Sequence, residues 1–290
     1  MWSLKHNNPI PVFIVHWNRP KECMASVQCF LQQSLPVKIS IVDNASSLEN
    51  FQLLQQQLPN EVELIRLTEN RGWGGGFNIL LKRWLEHQDS PYCFISSHDA
   101  LPQGECLRML VDVMENDPEV GICCPEYGIA ELPKYSPIRG PYLISTAPRQ
   151  PGRIEAVDFA HQTLSLFRKQ CIREIGLYDE RHFAYGDEYE ISLRARRHGW
   201  QAMIVWGAIV INPGSWTPKP QLSYLLARNT LLLALTYGGW PHAMLRTFLM
   251  TLNSLKISLF SKSNKTNFYP KARFLGIRDF LLGRYGRPPV

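Results

Sequence analysis

The sequence predicts an α/β fold, a doubly wound and mostly parallel sheet followed by a C-terminal helical region. Over the first 125 residues, strand-like and helix-like patterns alternate, which is typical of parallel strands joined by crossover helices. After residue 218 the pattern becomes helical, and leucines recur at helical spacing from Leu245 to Leu259. We therefore predict an α/β domain over residues 1–218 and a basic, amphipathic helical region over residues 219–290.

The alternating half begins with a buried strand. The predicted strands are PVFIVHW (11–17), VKISIVDN (37–44), EVELIRL (61–67), PYCFISS (91–97) and VGICCP (120–125). The predicted helices are KECMASVQCFLQQ (21–33), LENFQLLQQQL (48–58), FNILLKRWLEH (77–87) and ECLRMLVDVMEN (105–116). Polar pairs follow the first four strands, at 18–19, 43–44, 69–70 and 98–99. Ligands of such sheets bind beyond the carboxyl ends of the strands, so we expect a site there.

The next part of the chain is less regular. Residues 126–152 are rich in Pro, Gly and Tyr and predict a loop excursion. Three further strands are predicted, RIEAVDF (153–159), TLSLFRK (163–169) and WQAMIVWGAIVI (200–211). Between the last two, three acids stand at a helix start and three arginines follow. These residues are Asp187, Glu188, Glu190, Arg194, Arg196 and Arg197.

The bulk composition is that of an ordinary globular protein, with 45% hydrophobic and 19% charged residues. From Lys219 onward, eleven Lys or Arg against one acid give +10, which leaves −4 of the total +6 for the rest. Such a basic tail favours contact with anions, or is simply a solvated basic face. The seven cysteines show no disulfide framework, and we expect neither a signal peptide nor a spanning helix.

Two of the polar strand ends suggest nucleotide contacts. A carboxylate at Asp43 can accept from the ring N–H of uracil or thymine, or from a ribose hydroxyl; alternatively, it caps the helix that follows. The turn Asn70–Gly76 is not a dinucleotide-binding pattern. Its consecutive glycines let the backbone approach a ligand, or they serve a tight strand-to-helix turn.

Two further acidic positions suggest chemistry. Asp99 can hold Mg²⁺ or Mn²⁺ that bridges a diphosphate, or it can cap a loop. Asp187 and Glu188 can supply a general base. Alternatively, the acids at this helix start only favour the helix dipole, with Glu190 and Arg194 as an i,i+4 ion pair.

In this order the motifs resemble family 2 glycosyltransferases, specifically the bacterial rhamnosyl- and galactofuranosyltransferases of polysaccharide assembly. The resemblance covers about residues 10–216. It rests on VFIVHWNRP, IVDNASS, ENRGWGGGFN, FISSHDALP and GLYDERHFAYGDEYEISLRARRHGW. It implies a glycosyltransferase A-type (Rossmann-like) fold, a UDP- or dTDP-sugar donor, and inversion at the anomeric carbon.

The resemblance also implies roles for individual residues. Glu188 falls on the family's catalytic Asp, and Asp187 on the Glu before it. Asp99 falls on the last acid of the metal motif, which implies Mg²⁺ or Mn²⁺. The implied nucleotide-sugar contacts are Asn18, Asp43, Asn70, Arg71, Gly75, Asn78 and His98. Ser97, Asn212 and Gln162 depart from the family pattern, and the first two leave one carboxylate for the metal; Arg71 and Arg194 are then candidates to carry phosphate charge.

We therefore predict an inverting hexosyltransferase, with rhamnose among the sugars, that builds a bacterial surface polysaccharide such as O-antigen. Its acceptor is a glycan or a lipid-linked sugar, and it works in the cytoplasm with its C-terminal region on the inner membrane. No nucleic acid is expected. The alternative is a non-catalytic sugar-nucleotide-binding or scaffold subunit. A nucleotidyltransferase is disfavoured because HWNRPKE is not a glycine-rich loop after the first strand.

Overall fold

The computed structural model describes residues 8–87, 89–126, 130–147, 149–212, 214, 217–260 and 269–289. The strands are β1 (Ile10–His16), β2 (Val37–Asp43), β3 (Glu63–Arg66), β4 (Tyr92–Ser97), β5 (Leu101–Gln103), β6 (Val120–Glu126), β7 (Glu131–Ser136), β8 (Gly140–Ser145), β9 (Ile154–Ala156), β10 (Leu164–Arg168) and β11 (Gln201–Ile211). The helices are α1 (Pro20–Leu31), α2 (Leu48–Gln57), α3 (Gly72–His87), α4 (Cys106–Asn116), α5 (Lys169–Ile175), α6 (Asp187–Arg197), α7 (Lys219–Phe260) and α8 (Pro270–Leu281).

The central sheet confirms the predicted fold class. Its strands run in the order β3-β2-β1-β4-β10-β6-β11-β5, and β9 pairs with β11. β3, β2, β1 and β4 are mutually parallel, whereas β10 is antiparallel to both of its neighbours, β4 and β6. The register sets His16 opposite Asp43 and Val15 opposite Ser97, so the polar ends of β1, β2 and β4 lie side by side.

Alternating side chains of the strands form two cores, one on each face of the sheet. On one face Val12, Ile14 and Ile41 pack with residues of α1, α2 and α4. On the other face Phe13, Val15 and Val42 pack with residues of α3, α5 and α6. Both faces of the parallel strands are covered, which explains why β1 reads as a continuous apolar run.

The predicted loop excursion contains a β-hairpin instead. β7 and β8 pair antiparallel from Glu131–Ser145 to Ser136–Gly140, as a sheet of their own. The backbone N–H of Tyr135 donates to Asp158, and the N–H of Asp158 donates to the Pro133 carbonyl, which ties the hairpin to the main domain. Pro133 and Pro141 suggested a loop. In a two-stranded sheet both strands are edge strands, and edge strands tolerate proline.

The C-terminal region is helical, as predicted. α7 contains a break at Gly239, whose φ of 75° is not helical, and Pro241 follows two residues later. Below we call residues 219–238 the first half of α7 and residues 240–260 the second half. α8 packs against α7 through Ile277 and Phe280, which meet Leu231 and Met250 in a third core. The polar sequence SKSNKTN at 261–267 predicts a flexible linker, and this segment lies outside the described residues. In the described part of the chain, no helix combines the length and apolar character that a membrane span requires.

Candidate active site

The carboxyl ends of β1 and β2 form a buried polar cluster. His16 and Asp43 are fully buried, and 2.9 Å separates His16 Nδ1 from Asp43 Oδ1. His16 Nε2 accepts a hydrogen bond from the backbone N–H of Arg19, so Nδ1 carries the proton and donates to Asp43. Burial alone would raise the pKa of Asp43, but the hydrogen bonds from His16 and Ser46 outweigh burial and hold the pKa below its usual value.

Asn18 stands at the rim of this cluster in a left-handed conformation, with a φ of 55°. Its side-chain oxygen accepts from the backbone N–H of Ser47 at 2.8 Å and from the amide of Asn50. Its own N–H donates to the hydroxyl of Ser46. Asn18 therefore fastens the loop after β1 to the start of α2.

A second amide joins the end of β2 to the start of α3. The Asn44 side chain accepts from the backbone N–H of Arg71 and donates to the carbonyl of Gly72. Asn70 accepts from the N–H of Gly72 at 2.8 Å. The predicted residues Asp43, Asn70 and Arg71 thus lie in one connected loop system, and Asn44 is the connector that the sequence reading did not single out.

The predicted helix at 77–87 begins earlier, so Gly72–Gly76 form the first turns of α3 instead of a turn before it. These glycines pack against the segment before α6. A Cβ at Gly72, whose φ is 77°, would overlap the carbonyl oxygen of Phe183. A Cβ at Gly75 would stand 2.9 Å from Arg71 Cβ and 3.3 Å from Glu180 Oε2. Protein atoms therefore occupy the space in front of both glycines, and close packing gives each of them a reason to be glycine.

Arg71 and Asn78 both contact Glu180. Two hydrogen bonds, the shorter 2.9 Å, join the half-exposed guanidinium of Arg71 to the Glu180 carboxylate. The Asn78 amide donates to Glu180 and to the carbonyl of Tyr178, and it accepts from the N–H of Tyr178. Asn78, predicted to lie near a nucleotide, is thus a clamp between α3 and the segment before α6.

His98 and Asp99 follow β4 and border the same cluster. The His98 ring lies edge-on to His16, with centroids 5.8 Å apart, and its Nδ1 bonds to the carbonyl of Val15. Burial lowers the pKa of His98, and its Nε2 is buried without a hydrogen-bond partner among the described residues. Asp99 is buried beside it, at 7% exposure.

A divalent cation would find a sparse set of donors here. The described residues contain no group of three His, Cys, Asp or Glu side chains placed to share an ion. Asp99 supplies one carboxylate, and His98 Nε2 supplies a nitrogen that lacks a partner. Oxygen ligands from a diphosphate and water would have to complete the shell of Mg²⁺ or Mn²⁺.

The segment between Tyr178 and α6 leads into the acids of α6 and is strained. Phe183 and Tyr185 have φ of 65° and 61°, values that non-glycine residues rarely adopt. Two residues of α7 hold this segment in place. Arg228 donates to the carbonyls of Arg181 and His182, and Asn229 donates to those of His182, Ala184 and Tyr185. The fully buried Arg228 and Asn229, which support the segment before the acids, were missed by sequence reasoning.

Asp187 and Glu188 begin α6 but face different surroundings. Asp187 is 1% exposed, and neither carboxylate oxygen accepts a hydrogen bond from another described residue. Its Oδ1 lies against Gly74, where a Cβ would be 2.9 Å away. Burial and then the charge of Glu188 raise the pKa of Asp187 well above its usual value. Burial also raises the pKa of Glu188, whose Oε2 accepts from the N–H of Gly186.

Glu190 and Arg194 form the expected ion pair, at 2.8 Å. The Arg194 guanidinium also donates to the carbonyls of Ile175 and Leu177, and the Tyr237 hydroxyl donates to Glu190. Arg194 is thus engaged inside the protein, whereas Arg71 is half exposed. Of the two arginines considered for phosphate contact, Arg71 is the better placed.

Glu188 lines a pocket of about 260 Å³ between the hairpin and α6. The other lining residues are mostly aromatic or apolar: Pro133, Pro141, Tyr142, Leu143, Phe159, Tyr189 and Ile204, with Glu131 and His161 as polar members. A buried hydrogen-bond system links the pocket wall to α3. Beside His161, the oxygen of Gln162 accepts from Trp73 Nε1 at 3.2 Å and from the Tyr178 hydroxyl at 2.8 Å.

The arrangement therefore has two parts. One is a polar cluster at the strand ends, and the other is a carboxylate of raised pKa in a pocket. α3 connects them because its first turns contact both Asn44 and Asp187. This geometry can hold a ligand across the sheet edge and present a base to a second molecule in the pocket.

Comparisons with known proteins point to one family. A model of the family described as Glycosyl transferase family 2 matches residues 12–176. The N-acetylglucosaminyl-diphospho-decaprenol L-rhamnosyltransferase of Mycobacterium tuberculosis is 23% identical over 266 residues, covering 79% of this chain and 85% of that protein. The low-salt glycan biosynthesis hexosyltransferase Agl10 of Haloferax volcanii is 26% identical over 165 residues, 54% of this chain and 52% of that relative, so the match spans about half of its length.

Solved structures share the fold. The mannosyltransferase PcManGT from Pyrobaculum calidifontis, in complex with GDP-Man and Mn²⁺, superposes with a TM-score of 0.59 at 13% identity, over 97% of this chain and 89% of the other. GalNAc-T7 with UDP, GalNAc and Mn²⁺ superposes with a TM-score of 0.66 at 13% identity, over 96% of this chain and 57% of the other. The fold is the glycosyltransferase A type. The relatives support glycosyltransferase activity, and because the family model covers more than half of the chain, the protein belongs to glycosyl transferase family 2.

Proposed function

We propose that this protein transfers a hexosyl group, rhamnose being the first candidate, from a nucleoside-diphosphate sugar to a hydroxyl of a glycan or lipid-linked acceptor, with inversion at the anomeric carbon. One observation carries the proposal. Glu188 presents a carboxylate of raised pKa to an aromatic-lined pocket, and α3 joins that pocket to the polar strand ends. The names of the rhamnosyltransferase and hexosyltransferase relatives supply the class of sugar.

In the proposed reaction Glu188 is the general base. The acceptor hydroxyl attacks the anomeric carbon on the face opposite the diphosphate, and its proton passes to a carboxylate oxygen of Glu188. The new glycosidic bond forms as the bond to the diphosphate oxygen breaks, and the leaving nucleoside diphosphate keeps that electron pair. A raised pKa makes Glu188 a stronger base than an exposed glutamate, provided that it is ionised at the working pH.

Asp187 has a supporting role in this proposal. Its raised pKa favours the neutral form, which limits the negative charge beside Glu188. The aromatic rings of Tyr142, Phe159 and Tyr189 offer apolar faces for an acceptor sugar ring. The hydroxyl of such a sugar would stand next to Glu188.

The donor is proposed to lie across the strand ends. Asn18, Asp43, Asn70, Gly75, Asn78 and His98 shape or border this edge. Asp43 is fully buried and already engaged with His16 and Ser46, so contact with a uracil or thymine base requires an exchange of one of these partners. The half-exposed guanidinium of Arg71 is the candidate for the diphosphate, once it leaves Glu180.

Asp99 is proposed as the carboxylate ligand of a bound Mg²⁺ or Mn²⁺, with His98 next to it. When bound, such an ion neutralises charge on the leaving diphosphate. The Mn²⁺ in both solved A-type structures supports this assignment.

The biological setting is proposed from the relatives. The mycobacterial relative is named for a sugar on a decaprenol diphosphate, which supports a lipid-linked acceptor here. We place the activity in bacterial surface polysaccharide assembly, on the cytoplasmic side of the inner membrane. A UDP- or dTDP-sugar remains the proposed donor.

The alternative is a sugar-nucleotide-binding or scaffold subunit without turnover. The sparse set of metal ligands around Asp99 favours this alternative. Among the described residues, Asp99 supplies a single carboxylate and belongs to no group of three possible ligands. This alternative requires nucleotide binding that does not depend on Glu188.

The experiment that separates the two measures nucleotide release from UDP-, dTDP- and GDP-sugars with a crude lipid or oligosaccharide acceptor, with and without Mn²⁺. We expect Glu188→Gln to lower turnover by about 10²–10⁴-fold. The exposed Glu86→Gln is the matched control and should retain full activity. Metal-dependent turnover that Asp99→Ala abolishes supports the ion site. Nucleotide binding without turnover under every acceptor would instead identify the scaffold.

A further inference from the structure

The second half of α7 turns a row of large apolar side chains to solvent. We call it the outward face and define it by Trp240, Met244, Leu245, Phe248, Leu249, Leu252, Leu255 and Leu259. Each of these side chains is between 43% and 73% exposed. Scattered single exposures are normal on protein surfaces, but a contiguous apolar face marks a contact site.

Helical geometry makes these residues one surface. Successive residues advance by 100° around a helix, so the outward face covers the side opposite Ala243, Thr247, Met250 and Ser254. Those four are buried, and Met250 and Ala243 belong to the core shared with α8. The helix therefore packs against the protein along the side that carries Ala243, Thr247, Met250 and Ser254, and it presents the outward face to solvent.

The charge of the C-terminal region, which carries this face and the exposed Lys256 on the same half-helix, is one-sided. Asp279 is the only acid between residue 219 and the C-terminus, and it is 3% exposed and bonded to Tyr224 and Arg278. Lys256, Lys271, Arg284 and Arg287, by contrast, are exposed. The region thus presents cations and no carboxylate to solvent.

The exposed apolar face and the one-sided charge together indicate what binds to this surface. A second copy of the chain packed face to face would bring two such cationic regions together without any compensating acid. A bilayer surface that contains anionic phospholipid meets both properties at once, because acyl chains accept the leucines and headgroups accept the lysines and arginines. The 21 residues from 240 to 260 span about 30 Å, which suits a helix lying in the interface plane.

We propose that the outward face docks the protein on an anionic phospholipid surface. The inference rests on the proposed function for the identity of the membrane, namely the one that carries the lipid-linked acceptor. It assigns the lipid contact to one side of one half-helix and leaves the active-site residues out of that contact.

Vesicle co-sedimentation of the full-length protein tests the docking. The probes are phosphatidylcholine vesicles and phosphatidylcholine vesicles that contain phosphatidylglycerol. We compare the double variant Phe248→Ser/Leu252→Ser with Leu31→Ser/Leu48→Ser, which changes two exposed leucines in α1 and α2. We expect the wild-type protein and the control to bind the anionic vesicles, and the outward-face variant to bind at least about tenfold more weakly. Lys256→Gln/Lys271→Gln should weaken binding to the anionic vesicles alone.

Equal vesicle binding by the outward-face variant and its control would overturn the proposal. A dimer in sedimentation velocity that the outward-face variant abolishes would also overturn it, in favour of a second copy. Sugar transfer to a soluble short acceptor without vesicles separates this test from the proposed function. Turnover there should be unchanged by the outward-face substitutions, and its absence in the wild-type protein would count against the function but not against docking.

Discussion

At the scale of single residues, the two acids that begin α6 are distinguished by their surroundings. Glu188 borders a pocket, whereas Asp187 is enclosed against Gly74 without a hydrogen bond from another described residue. Both carboxyls have raised pKa values because burial disfavours their charged forms. The sequence placed both acids at a helix start, but only the structure shows that Glu188 borders a pocket while Asp187 is enclosed.

The pH dependence of transfer follows from Glu188. A base must be ionised, so kcat/KM should fall as the pH falls through the pKa of Glu188. Because burial raises this pKa, the acid limb should lie above the ordinary glutamate value of 4.5. A pH profile of kcat/KM measures the limb, and it should vanish from the residual activity of Glu188→Gln. An unchanged limb in that variant would remove Glu188 from the role of base.

Asp187 should make the protein less stable as the pH rises. Its folded-state pKa lies well above the usual value of 3.8, so the folded state binds more protons than the unfolded state between the two values. Asp187→Asn should therefore increase the free energy of unfolding at pH 7.5, and the gain should disappear toward pH 3.8. Urea unfolding at several pH values measures this, with the exposed Asp89→Asn as a control that stays within about 0.5 kcal/mol. A gain that does not depend on pH would contradict the assigned protonation.

At the scale of elements, the glycine turn at the start of α3 is a packing device. Gly72 has a positive φ and meets the carbonyl of Phe183, which also accepts from the N–H of Trp73. A side chain there would push α3 away from the strained segment 182–186. The contact joins the polar strand ends to the acids of α6, so its geometry affects both.

Gly72→Ala should destabilise the fold more than a positive φ alone explains. Gly152 has a similar φ of 83° but has nothing within 4 Å of its Cβ position. Gly152→Ala should therefore cost about 1–2 kcal/mol, the penalty of the left-handed conformation. Gly72→Ala should cost roughly 1–3 kcal/mol more, because the Phe183 carbonyl must move. Chemical denaturation measures the free energy of unfolding of both variants. Equal losses would show that the start of α3 accommodates the added methyl group.

The success of the sequence prediction varied by element for physical reasons. β1 and β4 were predicted correctly because they are buried on both faces and read as mostly apolar runs ended by polar residues. β2 was predicted correctly from its β-branched residues, although Lys38 near its start is exposed. The hairpin β7–β8 was missed because its strands are half-exposed and contain Pro133 and Pro141. Roles for Gly75 and Asn78 could be guessed only by resemblance, since their partners Glu180 and Tyr178 are about a hundred residues away in the chain.

At the scale of the whole molecule, the helical region and the α/β domain meet at the acidic segment. The predicted boundary at residue 218 separates them in sequence, and that division stays a prediction. Arg228 and Asn229 nevertheless reach across it to the carbonyls of residues 181–185. No local sequence pattern predicts these contacts of Arg228 and Asn229, because helical periodicity indicates only that they lie on the buried side of α7.

Asn229→Ala should damage both stability and catalysis. It would leave the carbonyls of Ala184 and Tyr185 without their described side-chain donor, at a cost of about 1–3 kcal/mol. The segment that positions Glu188 would loosen, so kcat should fall more than the affinity for the donor. Asn253→Ala, on the exposed side of α7, is the control and should change neither. Steady-state kinetics and thermal unfolding compare the two variants. A stable Asn229→Ala variant with normal kcat would show that the hydrogen bonds from Asn229 are dispensable.

The contact between Arg246 and the hairpin has a consequence for acceptor length. Arg246 lies in the second half of α7 and donates to the carbonyl of Ile138, between the two strands that wall the pocket. With the outward face of that half-helix resting on lipid, the pocket stands at a constant height above the bilayer. A sugar held near the headgroups by a short lipid diphosphate stays within reach of such a pocket, whereas the far end of a long glycan must bend back to it. Under the proposed docking, this geometry would favour an early addition to a growing chain over a late one.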